Sequence, residues 1–278
     1  EALRLRDLIE RQTLLRDRQR EFEPSITVRE RTEEPESAPV RRAVKAPMPM
    51  LTPEQINLLK VFEIDLTDPP RIVIRRDTVE KLLSQYSGNP LIPASREGKA
   101  EFFKLPPEEI LSMMFRLQAR DLYGEVQVLA NPSSMVRFRD HVNRGWLAQS
   151  CASTACHGGD DAGRLRLSGR RTASDESVYT NFLILERFRL SSGEALLNYE
   201  SPEESPLLHM ALPRQDARFP HPDVRGWSPA FRNTSARRYM QTVDWMRSMY
   251  LPRPEHPVEY PPKAAGAPAP APVRGVPR

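Results

Sequence analysis

Both cysteines of the chain lie within residues 151–157, whose sequence is CASTACH, and a histidine follows the second cysteine directly. Two thiols followed by a histidine are the pattern by which haem is attached covalently: each thiol adds to a vinyl group, and the histidine binds the iron from one side. The usual spacing has two residues between the cysteines, whereas this stretch has four small ones, which let the longer loop bulge away from the porphyrin edge. The stretch therefore predicts one covalently attached haem c, held by Cys151, Cys156 and His157.

Other interpretations of the two cysteines start from the same residues. In an exported protein, Cys151 and Cys156 can close a small disulfide, with His157 merely exposed. A zinc site would need four N, S or O ligands, and the other histidines are scattered along the chain. Thioredoxin-like chemistry needs two residues between the thiols. Covalent haem attachment remains the favoured interpretation, and the disulfide is its alternative.

Charge and hydropathy limit the class of partner. The 41 basic and 37 acidic side chains are interleaved, whereas a nucleic-acid-binding protein concentrates its basic residues in a stripe. No apolar run approaches the ~20 residues that span a bilayer. We therefore expect no nucleic-acid partner and no membrane span in this sequence. A protein with covalently attached haem is exported, so we expect a processed signal or anchor ahead of Glu1.

The distribution of prolines and apolar residues divides the chain into five segments. Residues 1–24 predict a helix with a weak heptad seam, which docks, self-associates or stays solvated. Residues 25–50 predict an extended linker, and residues 51–130 a small α+β module. Residues 131–251 predict a helical domain around the haem, and residues 252–278 an unpacked Pro/Ala-rich tail. The predicted fold class is mainly α.

Within residues 51–130, the first helix has the clearest start signal. Thr52 is a predicted N-cap, Pro53 occupies the first helical position and Gln55 completes a capping box. The β-branched residues at 71–75 predict a short strand, and a second long helix is predicted at 107–123.

The predicted haem domain begins with a helix at 132–150 that leads into Cys151. Gly145 within it is unfavourable by ~1 kcal/mol relative to alanine, which indicates close approach of the last predicted helix, 236–250. A further helix is predicted at 176–188.

Several residues of this domain are similar to the cytochrome-c-like domains of bacterial exported proteins. These are the CASTACH stretch, Ser205-Pro206-Leu207-Leu208, Pro220-His221, Gly226, Tyr239 and Trp245. The resemblance covers roughly residues 132–251. It implies a mono-haem c-type cytochrome with a helical haem domain, located in the periplasm, at the cell envelope or outside the cell.

The iron ligands follow from the attachment stretch and the resemblance. His157 is the predicted proximal ligand. His221, which resembles the family's position, is the first choice for the distal ligand, Met210 is the alternative and His209 comes third. Methionine opposite histidine raises the reduction potential, whereas two imidazoles favour ferric iron and lower it.

Haem propionates need partners, and guanidinium groups suit carboxylates well. Arg214, Arg218 and Trp227 lie in the loop that would wrap the edge of the ring. We therefore predict that these three residues bind the cofactor.

Three functions are consistent with these residues. The first is electron transfer by one haem, without catalysis, in an assembly with redox proteins that the N-terminal helix helps to form. The second is a non-haem envelope scaffold with a Cys151–Cys156 disulfide. The third is a haem enzyme or gas sensor with an open sixth position, although nothing near the cysteines resembles an acid/base pair.

Overall fold

The computed structural model describes residues 48–159 and 162–261. This part of the chain is mainly helical and contains one two-stranded antiparallel sheet, which confirms the predicted mainly α fold class. It belongs to one compact unit, and none of its helices is both long and apolar enough to cross a membrane. The predicted N-terminal helix at 1–24, most of the predicted linker and the end of the predicted tail lie outside the described residues.

The first half of the described chain combines short helices with the sheet. Its elements, in chain order, are α1 (Pro53–Phe62), β1 (Ile72–Val73), α2 (Arg76–Gln85), α3 (Arg96–Phe102), α4 (Pro107–Arg116), a 3-10 helix (Arg120–Glu125) and β2 (Gln127–Val128). In the sheet, Ile72 pairs with Val128 and Val73 with Gln127. The predicted helix at 107–123 ends early, and Gln118 just beyond α4 adopts a left-handed backbone with φ of 52°.

Helix α1 begins as the sequence predicts. The Thr52 side chain accepts a hydrogen bond from the backbone N–H of Gln55, and the Gln55 side chain accepts one from the backbone N–H of Thr52. The helix contributes to two hydrophobic cores. Val61 and Phe62 belong to a core built from residues 61–128, whereas Ile56 and Leu59 belong to a larger core that consists mainly of residues 135–258.

The second half of the described chain builds the larger core. Its elements are α5 (Ser133–Arg137), a π-helix (Phe138–Leu147), α6 (Ala148–Ser150), α7 (Asp175–Arg187), a 3-10 helix (Pro202–Glu204), α8 (Pro206–Met210), a 3-10 turn (Arg214–Asp216) and α9 (Arg237–Arg247). The predicted helices at 132–150, 176–188 and 236–250 are therefore confirmed in type and approximate position. The first is a continuous helical run that delivers the chain to Cys151.

The π-helix packs against α9, as expected. The Trp146 indole N–H donates to the Thr242 hydroxyl at 3.0 Å, and the Phe138 and Trp245 ring centres lie 4.8 Å apart. The reason predicted for Gly145 is wrong, however. A Cβ at this position would first meet the Asp140 carbonyl of the same helix, at 3.3 Å. The glycine therefore fits the wider π-helical turn.

The segment 251–261 packs against the protein, so the prediction of an unpacked tail from residue 252 is wrong for this part. Arg253 forms ion pairs with Glu63 and Glu186, each at 2.7 Å. His256 and Val258 are buried. Proline-rich composition suggested a tail because it carries no sign of the buried carboxylates that this segment meets.

Candidate functional site

The loop after α6 closes into a tight turn around the two cysteines. The backbone N–H of His157 donates to the Cys151 carbonyl at 2.9 Å, and the N–H of Cys156 donates to the Ser153 carbonyl at 3.0 Å. The N–H of Gly158 donates to the same Ser153 carbonyl at 2.9 Å. These bonds hold the second thiol and the histidine over the end of the helical run.

Glycines make this turn sterically feasible. A Cβ at Gly158 would lie 2.1 Å from the Ala152 carbonyl oxygen, and one at Gly159 would lie 1.9 Å from that of Thr154. A Cβ at Gly169, in the neighbouring segment, would lie 2.3 Å from the Ala152 oxygen. Real side chains do not approach a carbonyl so closely, so the backbone contacts of the loop depend on these three residues lacking a side chain.

Both cysteines are half-buried free thiols. Cys151 packs against the larger core. Burial, with a further contribution from Cys156, raises the pKa of the Cys151 thiol to about 12. Because the thiolate is the reactive form, Cys151 is a poor nucleophile in this state of the protein. The disulfide required by the alternative interpretation is not formed in the structure.

The orientation of His157 is fixed by the segment that follows the loop. Its Nδ1 lies 3.0 Å from the Leu165 carbonyl oxygen, and its own carbonyl accepts the Leu167 N–H at 2.8 Å. A carbonyl oxygen can only accept, so Nδ1 carries a proton and, in the neutral ring, Nε2 has the lone pair. Metal-binding histidines commonly make this kind of bond, which fixes the tautomer and raises ligand basicity.

His221 is brought to the same place from a distant part of the chain. Its ring centre lies 6.1 Å from that of His157, with 68° between the planes. Its Nδ1 lies 2.9 Å from the Pro222 carbonyl oxygen. As in His157, Nε2 is therefore the ring nitrogen that could bind a metal. Trp227 stacks on the His221 ring at 5.1 Å with 14° between the planes.

The separation of the two rings is the one that two ligands of a single iron would have. An imidazole nitrogen binds a transition-metal ion at about 2.0 Å, so two imidazoles on opposite sides of one ion have ring centres roughly 6 Å apart. His157 and His221 have that separation, each with Nδ1 engaged by a carbonyl. The free thiols of Cys151 and Cys156 belong to the same loop as His157.

The three predicted cofactor-binding residues have different partners. Arg214 pairs with Asp223 at 3.0 Å, and Arg218 pairs with Glu204 at 2.7 Å. Both guanidinium groups therefore already have carboxylate partners, whereas Trp227 contacts His221. Their role as cofactor-binding residues stays a prediction.

The two alternative distal ligands have other surroundings. Met210 ends α8 and is partly buried against the larger core. His209 accepts the backbone N–H of Arg218 at Nδ1, 3.1 Å away, and its ring meets Phe219 edge-to-face at 5.8 Å. Of the three candidates, His221 has the ring contact with His157.

Two buried asparagines support the site and were missed by sequence reasoning. Asn181 on α7 bonds to Asn143 on the π-helix and to both backbone groups of Ser168. Only tertiary structure brings them together, because 38 residues separate the two asparagines. Asparagines at these positions give no distinguishing signal in the sequence, because both helices carry other polar residues.

Comparison with known proteins adds no relative. No protein-family model matches the chain, and no curated protein or solved structure is significantly similar to it. Within residues 48–159 and 162–261, no group of three or more His, Cys, Asp or Glu side chains is arranged to hold a metal ion. The resemblance to cytochrome-c-like domains therefore rests on the residues of this chain.

Proposed function

We propose that the protein is a mono-haem c-type cytochrome that carries electrons in the bacterial periplasm or cell envelope. One observation carries the proposal: the imidazole beside the paired thiols is fixed at Nδ1 by the Leu165 carbonyl, and a second imidazole lies 6.1 Å away. The disulfide scaffold has no comparable support, because it gives neither imidazole a role.

Four residues would hold the group. Cys151 and Cys156 would form the thioether bonds, and His157 and His221 would bind the iron. Haem c, when bound, supplies an iron that changes between two oxidation states without further chemistry by the protein. Two imidazole ligands favour the lower range of potentials compared with histidine and methionine.

The chain's own residues would shape the environment of the iron. Trp227 covers one face of the His221 ring, and the Pro222 carbonyl engages its Nδ1. Cys151 is anchored on the larger hydrophobic core, which limits water on that side. A low-polarity surrounding of this kind helps to set the reduction potential of a metal site.

The first experiment asks whether haem is attached. The chain is expressed for export in a bacterial host that carries the c-type maturation machinery, and intact mass and absorption spectra are recorded. We expect the added mass of one haem and a Soret band that survives acid–acetone extraction. Cys151→Ala and Cys156→Ala should each lose one thioether bond, and the double variant should release its haem.

His141→Ala is the matched control, because His141 lies on the π-helix that leads to the loop and has no role in the site. It should keep its haem. A wild-type protein with no added mass, whose two thiols appear only after reduction, would overturn the proposal in favour of the disulfide scaffold.

The second experiment identifies the distal ligand. In the haem-loaded protein, His221→Ala should convert a low-spin spectrum into a high-spin one that binds carbon monoxide readily. Met210→Ala should leave the spectrum low-spin. The opposite pattern would assign Met210, and a wild-type protein that is already high-spin would favour a haem enzyme or sensor.

A further inference from the structure

The segment that orients His157 is itself held by a buried amide. The Oδ1 of Asn181 accepts the Ser168 N–H at 2.7 Å, and its Nδ2 donates to the Ser168 carbonyl at 2.9 Å. One side chain therefore binds both backbone groups of one residue. Ser168 lies three positions after Leu165, whose carbonyl engages His157, and next to Leu167, whose N–H donates to the His157 carbonyl.

A second amide extends this arrangement to the far end of the segment. The Asn181 Nδ2 also donates to the Asn143 Oδ1 at 2.8 Å, and the Asn143 Nδ2 donates to the Thr172 carbonyl at 2.7 Å. The two asparagines thus fix the chain at Ser168 and at Thr172 from two different helices. Those helices, α7 and the π-helix, are parts of the larger core.

The two amides are deeply buried, so their hydrogen bonds are needed for the fold. Asn143 and Asn181 are both fully buried, and a buried amide is unfavourable unless its hydrogen bonds are made. Here the bonds are made, and three of the four go to the backbone of the segment 168–172. Apolar side chains could fill the same space without the cost of burying polar groups, but they could not fix the position of a loop backbone.

We propose that Asn181, supported by Asn143, is a positioning residue for His157. It fixes the segment 165–168, so that the Leu165 carbonyl holds the imidazole as the Nδ1–H tautomer and leaves Nε2 as the nitrogen that can bind a metal. The consequence for haem iron rests on the proposed function, whereas the tautomer is a property of the chain without haem.

The proposal has two measurable consequences. Without the Leu165 bond, an imidazole samples both tautomers instead of one. In the haem-loaded protein, loss of the bond also lowers the basicity of the ligand. A weaker donor stabilises ferric iron less, so the reduction potential should rise.

Asn181→Leu, which keeps a similar volume but makes no hydrogen bond, is the principal variant. Asn181→Ser is the milder second variant, whose short hydroxyl cannot reach both backbone groups of Ser168. Thr180→Val is the matched control. Thr180 is the neighbouring residue on α7 and is fully buried. Its hydroxyl accepts a hydrogen bond from the Leu51 N–H at 3.1 Å, which the valine cannot accept.

The first measurement uses the haem-free full chain. Nitrogen-15 NMR at a pH where His157 is neutral should show a protonated Nδ1 and an unprotonated Nε2 in the wild type and in Thr180→Val. Asn181→Leu and Asn181→Ser should lose this single-tautomer pattern. Retention of the pattern in a folded Asn181 variant would overturn the proposal.

The second measurement is the reduction potential of the haem-loaded proteins. It should rise in the Asn181 variants and stay at the wild-type value in Thr180→Val. If Asn181→Leu does not fold, Asn181→Ser gives the same reading. Failure to load haem would count against the proposed function, whereas loaded Asn181 variants with unchanged potential and tautomer would count against the role of Asn181.

Discussion

The imidazole of His256 lies against the carboxylate of Glu63, with 2.7 Å between Nε2 and Oε1, and the two side chains are 4% and 1% exposed. Arg253 reaches the same carboxylate with two nitrogens, at 2.7 and 3.1 Å, and binds Glu186 as well. These contacts join the end of α1 to the segment 251–261, 190 residues later in the chain. A buried carboxylate bound by Arg253 and His256 is therefore the anchor of that segment.

Removing Arg253 should destabilise the fold strongly. Arg253→Ala leaves the buried Glu63 with His256 as its remaining partner, and breaking a buried ion pair from one side costs about 3–5 kcal/mol. We expect the free energy of unfolding, measured by urea denaturation followed by circular dichroism, to fall by about that amount.

Arg247→Ala is the control for this variant. Arg247 pairs with Glu203 at the surface, where the two side chains are 56% and 46% exposed, and such pairs contribute about 0–1 kcal/mol. Equal losses in the two variants would show that the Glu63 carboxylate is not the anchor.

The Glu63 anchor should also make the fold sensitive to acid. Burial by itself raises the pKa of Glu63, but hydrogen bonds from His256 and Arg253 outweigh burial and hold this pKa below its usual range. A lowered folded-state pKa means that the unfolded chain binds the proton more readily. The stabilisation is complete at neutral pH and is lost as the pH falls below about 4.3, the ordinary value for glutamate, towards the folded-state pKa.

Urea midpoints between pH 7 and pH 3 measure this effect. The wild type should lose stability more steeply than Glu63→Gln, which has no titrating group at this position. Burial raises the pKa of Asp175, but the hydrogen bonds from Lys60 and Asn131 together with the charges of Lys60 and Arg139 outweigh burial and lower this pKa. Asp175 remains in both proteins and cancels in the comparison. Parallel curves for the two proteins would contradict this role of Glu63.

Sequence reasoning located the helices well, for a physical reason. Capping signals at Thr52 and periodic apolar residues along 176–188 are local, and the interactions they predict are made within a few residues. The segment 251–261 was misjudged because its structure depends on Glu63, which is remote in sequence. No local pattern marks a glutamate that becomes buried.

The same distinction applies to the candidate site. The cysteine and histidine pattern at 151–157 is local, so the sequence could mark it as a candidate site, and the structure brings the predicted His221 to His157. Asn181 could not be found, because its partners are backbone groups of a distant segment. Arg214 and Arg218 were predicted to bind haem propionates, and each pairs with a carboxylate of the protein. Composition cannot reveal which carboxylate a surface arginine meets.

The two thiols should differ in reactivity in the haem-free protein. Since burial raises the pKa of Cys151 to about 12, this thiol stays protonated at pH 8, and alkylation proceeds through the thiolate. We expect iodoacetamide to modify Cys156 first, as followed by peptide mass spectrometry. In urea both thiols should react at similar rates, and a faster Cys151 in the folded protein would refute the prediction.

A methyl group at Gly169, next to the Ser168 that Asn181 binds, should disturb the site. The Cβ would lie 2.3 Å from the Ala152 carbonyl oxygen, which is backbone and cannot rotate away. Gly169→Ala should therefore cost about 1–3 kcal/mol, as overpacking commonly does, and push the segment 165–168 away from the cysteine loop. The His157 tautomer, read by nitrogen-15 NMR, should become mixed. Gly124→Ala, whose Cβ meets nothing within 4 Å, should change neither stability nor tautomer, and an equally undisturbed Gly169→Ala would show that the loop and the segment are not in fixed contact.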